Sequence, residues 1–261
     1  MSPGDVVAHG DALYAALRAR STVPPLTSRV PDITVDDAYA ISLRLLARRV
    51  ADGERVVGKK IGVTSKAVQN MLGVYEPDFG YLTDRMAFET SAEMPISRAL
   101  IQPRAEGEIA FLLKHDLQGP GITPSEVLAA TDCVMACIEV VDSRIEGWKI
   151  KIQDTVADNA SSGLFVLGSE RVDPRRVDFV TCGMAVEKNG EIVSTGAGAA
   201  ALGSPLFSVA WLANAFGRYG TALRAGEVIL SGSLVPLELV KAGDVMRVLI
   251  GGIGSASVRF V

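Results

Sequence analysis

Apolar positions fall near helical spacing twice at the start of the chain. Residues 8–20 read as one helix, and residues 36–52 as a second, with Asp36 as its predicted cap and Ala40, Leu43, Leu46 and Val50 along one face. The Pro-rich stretch VPPLTSRVPD between them predicts irregular chain. From about residue 55 the period shortens. RVVGKKIGV reads as a strand, and SKAVQNMLG as a short helix with Ser65 as cap and Gly73 as stop. EIAFLL, CVMACIEVV, GLFVLG, GMAVEKNGEIVSTG, EVILSG, DVMRVLI and SASVRFV then read as strands. Asn189-Gly190 between two such runs predicts a hairpin. Ser204-Pro205, a cap followed by proline at the first helical position, predicts a helix to about Tyr219.

Short strands with Gly-rich turns and few intervening helices predict an α+β chain whose mixed sheet rolls into a sandwich or barrel. The one break in texture divides a helical N-terminal region, residues 1–54, from a β-rich body, residues 55–261. No internal repeat or low-complexity linker interrupts the body.

Composition narrows the function classes. Hydrophobic residues are 48% and charged residues 21%, an ordinary globular balance that argues against disorder. The net charge of -4 and the absence of a Lys/Arg run speak against nucleic acid. No apolar stretch is expected to reach the ~18–20 residues of a membrane span, and the first residues lack a signal peptide's pattern. Three cysteines without zinc-like spacing, Cys133, Cys137 and Cys182, read as reduced thiols of a cytoplasmic protein. The only histidines are His9 and His115, in a polar segment and a turn, so a histidine-based triad has no good address. Any metal would then take oxygen ligands, which suits a hard cation.

Five stretches carry candidate chemistry. In PRAEGEIAFLL, Glu106 and Glu108 lie one residue apart, so a strand would put both carboxylates on one face. Either solvent or a shared cation would relieve their repulsion. Glu139 sits inside the apolar run CVMACIEVVDSR, where an unpaired carboxylate is costly. It needs either an ion pair, for instance with Arg144, or a place in a three-carboxylate site with Glu106 and Glu108. Lys59 and Lys60 alternate in a strand, so one can face solvent while the other turns inward; both could instead be edge lysines. Asp78 in EPDFGYL is either a turn aspartate or a site residue. Asp154, Asp158, Asn159 and Ser161 crowd one polar stretch, a capped turn or a substrate-contacting loop. TGAGAAALGSP matches a dinucleotide fingerprint poorly, because Ala201 replaces the last glycine.

Together GKKIGVTSKAVQNMLGVYEPDFGYL, QPRAEGEIAFLL, IEVVDSRI, DTVADNASSG, GAGAAALGSP and GGIGSASVRF resemble the 2-oxopent-4-enoate hydratases. These are also called 2-hydroxypenta-2,4-dienoate hydratases, of the meta-cleavage route for aromatic compounds, and fall in the fumarylacetoacetate hydrolase superfamily. The similarity runs from about residue 10 to 261. It implies the superfamily's mixed β-roll behind a small N-terminal region. It implies a divalent metal, Mg²⁺ or Mn²⁺, held by Glu106, Glu108 and Glu139. It also implies Lys60 and Asp78 beside the substrate as catalytic residues, with Ser161 a further contact. Relatives assemble as homo-oligomers, and a complex with 4-oxalocrotonate decarboxylase is expected.

The implied reaction protonates a 2-hydroxydienoate at C5, adds water at C4 and protonates C3, giving 4-hydroxy-2-oxopentanoate. Three rivals stand beside it. The 4-oxalocrotonate decarboxylases share the carboxylate motifs, although their segment more often reads GLKMGLTS where this chain has GKKIGVTS. Acylpyruvate hydrolysis usually recruits a histidine, which this chain can scarcely supply. A non-catalytic subunit of a partner enzyme would not need all three glutamates.

Overall fold

The computed structural model describes all 261 residues. Helices α1 (Pro3–Ala19), α2 (Leu26–Arg29) and α3 (Val35–Ala51) open the chain. Strand β1 (Val56–Gly62), helix α4 (Lys66–Leu72) and strands β2 (Asp78–Thr83), β3 (Ala87–Glu89) and β4 (Ala92–Met94) follow. Helix α5 (Ile96–Ala99) leads to the long strand β5 (Arg104–Leu113). Then come α6 (Pro124–Ala130), β6 (Thr131–Val141), α7 (Ile152–Ala157), β7 (Ser162–Leu167), β8 (Gly183–Lys188) and β9 (Glu191–Ala197). The last elements are α8 (Pro205–Gly217), β10 (Val228–Leu230), β11 (Glu238–Leu239), β12 (Val245–Ile250) and β13 (Gly254–Phe260).

Helix boundaries follow local hydrogen bonding. Helix α1 begins five residues earlier than the periodicity predicts, because Ser2 caps it by accepting from the Asp5 N–H and Pro3 occupies its first turn. Helix α3 is capped by Thr34 rather than Asp36: the Thr34 hydroxyl accepts from the Asp37 N–H while the Asp37 carboxylate accepts from the Thr34 N–H. Ser65 and left-handed Gly73 bound α4, and Ser204-Pro205 starts α8, as their sequences predict.

The strands form two open sheets. One runs β2-β1-β10-β5-β6-β7-β3, with β11 on the near end of β5. It is mixed, since β1/β10 and β3/β7 are parallel and its other pairs antiparallel. The second runs β4-β13-β12-β8-β9 and packs against the first through β13 and β12 on β6. The expected roll is thus a pair of layered open sheets and not a closed barrel. Asn189 and Gly190 both hold positive φ in the β8/β9 turn, the conformation a two-residue hairpin requires.

One continuous core joins the helices to the sheets: Leu13, Leu26 and Ile41 belong to the same apolar cluster as Ile109, Ile138 and Phe216. One sequence expectation is corrected here. Gly198–Gly217 is 20 residues long and apolar enough to meet a membrane-span criterion. Only Pro205–Gly217 of it is α helix, however, and left-handed Leu202 and Gly203 break the chain before it. Thirteen helical residues rise about 20 Å, short of a ~30 Å hydrocarbon layer. Its buried residues pack into the protein core.

Candidate active site

Strand alternation sends Glu106 and Glu108 to the same face of β5, as the sequence predicts. The antiparallel register then places Glu139 of β6 directly opposite Glu106. Ligand oxygens from the three glutamates lie within 4.8 Å of one another, and no residue of the trio is more than 4% exposed. The choice left open for Glu139 is settled by its neighbours. Its partner is not Arg144, which instead binds Asp158. Lys60 on β1 brings its Nζ to 3.4 Å from Glu139 Oε1, close enough for an ion pair but misaligned for a hydrogen bond.

Alternation along β1 divides the two lysines. Lys60 turns toward the carboxylates; Lys59 turns away, yet not into solvent. Its ammonium binds both oxygens of Glu227 at 2.7 and 2.6 Å and sits near the rings of Tyr81 and Phe216. Neither lysine is an exposed edge residue. Asp78 is the first residue of β2 and is buried, so it is no surface turn. The Thr155 hydroxyl donates to Asp78 Oδ2, while Oδ1 is buried without a hydrogen-bond partner. Gly62 makes this proximity possible: a Cβ there would lie 2.4 Å from Asp78 Oδ1 and 3.1 Å from Lys60 Nζ.

The electrostatics are those of a crowded acidic pit. Burial raises the carboxyl of Glu106 to about 8, with the charge on Glu139 adding and Lys60 opposing. Burial, then Glu139 and Glu106, push Glu108 up well above the usual range. Glu139 rises by burial as well, against the pull of Lys60. For Lys60, burial acts to lower the ammonium, but Glu139, Asp78, Glu106 and Glu108 together outweigh it and hold the charge on. Of the buried oxygens here, Glu108 Oε1 and both oxygens of Glu139 accept no hydrogen bond. Glu108 Oε2 accepts from the Gly232 N–H at 2.8 Å.

Beyond the acids a pocket opens, enclosing about 300 Å³ of empty space, part of it solvent. Its polar end carries Lys60, Asp78, Glu106, Thr155 and Ser161. Glu108 and Glu139 stand behind this lining and not on it. The rest of the wall is mainly apolar, with Val68, Leu72, Val141, Trp148, Ile150 and Leu237. Trp148 is held from behind: its indole N–H donates to the Gln102 carbonyl, and the Arg104 guanidinium lies 5.2 Å from its ring.

Ser161 reaches the pocket through an unusual turn. Asn159, Ala160 and Ser161 all hold positive φ, near 50°, a conformation costing about 1–2 kcal/mol per residue for side chains of this kind. Surrounding bonds impose it. The Asn159 amide pairs with Tyr81 as a strand would, accepting from its N–H and donating to its carbonyl. Gly80 lets the turn sit against β2, since a Cβ there would lie 2.4 Å from the Asn159 carbonyl oxygen. Buried Arg144 donates to the Asp158 carboxylate and carbonyl and to the carbonyls of Asp142 and Ser162. Burial lifts Asp158 to about 6, with Arg144 opposing.

Thr155, Gly232 and Gly62 support the site without having been singled out as functional by their sequence. Only Thr155 carried a hint, inside the polar stretch DTVADNASSG. Of that stretch Asp154 faces elsewhere, accepting from Thr27. The cysteines are buried and free, as expected.

Buried carboxylates facing one lysine at the head of an apolar pocket, set between the first mixed sheet and helices α4 and α7, define an acid-lined small-molecule site of the α+β class. The sequence model of the fumarylacetoacetate hydrolase C-terminal family matches residues 62–261, and the chain belongs to that family. It is 71% identical to a 2-hydroxypent-2,4-dienoate hydratase of Pseudomonas putida over 82% of this chain and 96% of the relative. It is 57% identical to a 2-hydroxyhexa-2,4-dienoate hydratase of Comamonas testosteroni over 96% of both. Among solved structures, a 4-oxalocrotonate decarboxylase from Pseudomonas putida G7, complexed with magnesium and adipate, superposes with a TM-score of 0.95 at 38% identity, covering 100% of this chain and 99% of that one.

Proposed function

We propose that this chain is a metal-dependent hydratase that adds water to 2-hydroxypenta-2,4-dienoate, giving 4-hydroxy-2-oxopentanoate. The observation that carries the reading is the site's polarity: three buried glutamates and one lysine at the head of a pocket whose other walls are mainly apolar. The hydratase names of the relatives at 71% and 57% identity support it. The orphaned oxygens of Glu108 and Glu139 support a divalent cation. Hard cations bind carboxylates at about 2.0–2.6 Å, so one ion can serve oxygens this close together.

Glu106, Glu108 and Glu139 would hold that ion, Mg²⁺ or Mn²⁺. When bound, it supplies Lewis acidity toward the 2-oxygen and carboxylate of the substrate. The remaining work falls to the chain. The Lys60 ammonium, kept charged by its acidic neighbours, faces the substrate carboxylate and balances negative charge that grows on the 2-oxygen. Asp78 is the acid/base. Thr155 fixes its Oδ2, leaving Oδ1 free to pass the 2-hydroxyl proton to C5, and then to take a proton from the water that adds at C4 and deliver it to C3. Such a group contributes about 10²–10⁴ in rate. Ser161 contacts the substrate from the left-handed turn, and the apolar wall limits stray water.

The decarboxylase reading is favoured by the 0.95 superposition. Against it, 4-oxalocrotonate carries two carboxylates, while Lys60 is the only cationic side chain lining this pocket. The deciding assay offers each substrate with Mg²⁺ and with chelator. Loss of dienoate absorbance with 4-hydroxy-2-oxopentanoate as product, abolished by chelator, is expected; carbon dioxide release from oxalocrotonate as the faster reaction would overturn the proposal. A homo-oligomer, and a complex with a 4-oxalocrotonate decarboxylase, complete the proposal. Light scattering of the chain alone and with the decarboxylase checks both, and a lone monomer in each case removes them.

A further inference from the structure

A second cavity lies behind the active-site turn, between the end of α1, the end of α3, helix α5 and the start of β7. The cavity and the solvent in its open mouth together span about 910 Å³. Arg18, Arg20, Arg49, Arg85, Arg98 and Arg144 line it. These are six of the chain's eighteen arginines, in a protein whose net charge is -4. Only two acids, Glu54 and Asp142, share the wall.

The ion pairs do not absorb this charge. Arg49 is taken by Glu54 and Arg144 by Asp158. Arg20 and Arg85 reach only the neutral carbonyls of Ser97 and Asp52. The side chains of Arg18 and Arg98 make neither a hydrogen bond nor an ion pair. Four guanidiniums therefore crowd one concavity with no carboxylate of their own. Asp142 lightens that balance without reversing it: its Oδ1 accepts from the N–H groups of Ile101 and Gln102, and its Oδ2 is unpartnered. Only four of the fourteen lining residues are apolar, Leu17, Ala99, Leu100 and Leu164. A protein partner would want a larger dry core, whereas a small charged ligand would not. Arginine forks match the oxygens of phosphate, sulfonate and carboxylate groups.

We propose that this arginine-lined cavity binds a compact polyanion, a molecule bearing several phosphate-, sulfonate- or carboxylate-type groups, at a site separate from the hydration pocket. The site's floor is shared with the active-site turn. Ser162 and Gly163 line the cavity directly after Ser161, and Arg144 holds the Asp158 carboxylate and the Ser162 carbonyl from the same side. A bound polyanion therefore rests one residue from a pocket-lining side chain.

Calorimetric titration of the full chain with naphthalene-1,3,6-trisulfonate, in Mg²⁺ buffer, tests the site without removing a divalent ion by chelation. Saturable binding is expected, about tenfold or more weaker in Arg18→Gln/Arg98→Gln, and displaced by sulfate. The double variant is expected to melt at the wild-type temperature, since neither side chain bonds to the fold. Absence of saturable heat, or equal binding by the double variant, overturns the proposal. So does an altered oligomeric state of the double variant in light scattering with no heat in either protein, which would assign the arginines to contacts between copies.

Discussion

Removing the metal should turn Glu106 into a pH-dependent liability of the fold. Its carboxyl rises from an ordinary 4.5 to about 8, chiefly because it is buried, with the Glu139 charge adding. The unfolded chain releases that proton near pH 4.5, while the metal-free folded chain retains it until about pH 8. Between these values the folded state binds more protons, so stability falls as pH rises. At about 1.4 kcal/mol for each pH unit, the interval is worth about 5 kcal/mol, large against a typical total of 5–15 kcal/mol. Urea denaturation in chelator at pH 5, 6, 7 and 8 reads the slope. The wild type is expected to lose several kcal/mol over this range, and Glu106→Gln, which removes one of the three raised carboxyls, to lose measurably less, with Glu108 and Glu139 keeping their own share of the slope. Mg²⁺ should restore most of the loss at pH 8, because it binds the folded carboxylates and not the unfolded chain. A wild-type slope that Glu106→Gln leaves unchanged, or stability at pH 8 that Mg²⁺ does not raise, would refute the placement of Glu106 in a buried acidic cluster.

Lys60→Ala should lower kcat by about 10²-fold or more, because it removes the pocket's one lining cation, while Lys59→Ala should mainly lower the melting temperature by stranding Glu227. Equal losses of kcat would show that the two faces of β1 are not distinct. Arg144→Lys replaces a fork that serves Asp158, Asp142 and Ser162 with a single ammonium; about 3–5 kcal/mol of stability and most of kcat/KM should go with it. Wild-type kcat/KM in a destabilised Arg144→Lys would separate the turn from catalysis.

Signals in the sequence that survive in the fold are those set by local geometry. The 3.6 and 2.0 periods place most helices and strands, and the alternation of Glu106 with Glu108 needs nothing beyond β5 itself. Failures begin where distant partners decide. The α3 cap lies at Thr34 because Asp37 reciprocates, a pairing that Asp36 does not make. Lys59 has no edge to guard because β10 and β2 flank β1 on both sides, and Glu227 arrives from 168 residues away.

The site shows the same division more sharply. Apolar neighbours announced that Glu139 was buried, but its choice between Arg144 and the other glutamates depended on register between β5 and β6, and hydropathy carries no register. Asp78 looked like a turn residue because Pro77 precedes it; its burial comes from Gly62, whose missing side chain leaves room for the carboxylate. The positive φ of Asn159, Ala160 and Ser161 was equally hidden, since none is glycine and none favours that region enough to advertise it. The turn exists because Tyr81 from one segment, and Asp142 and Arg144 from another, take up its polar groups. Strain kept in place by that many partners at the pocket wall is better explained by the position it gives Ser161 than by any gain to the fold, where an ordinary turn would cost less.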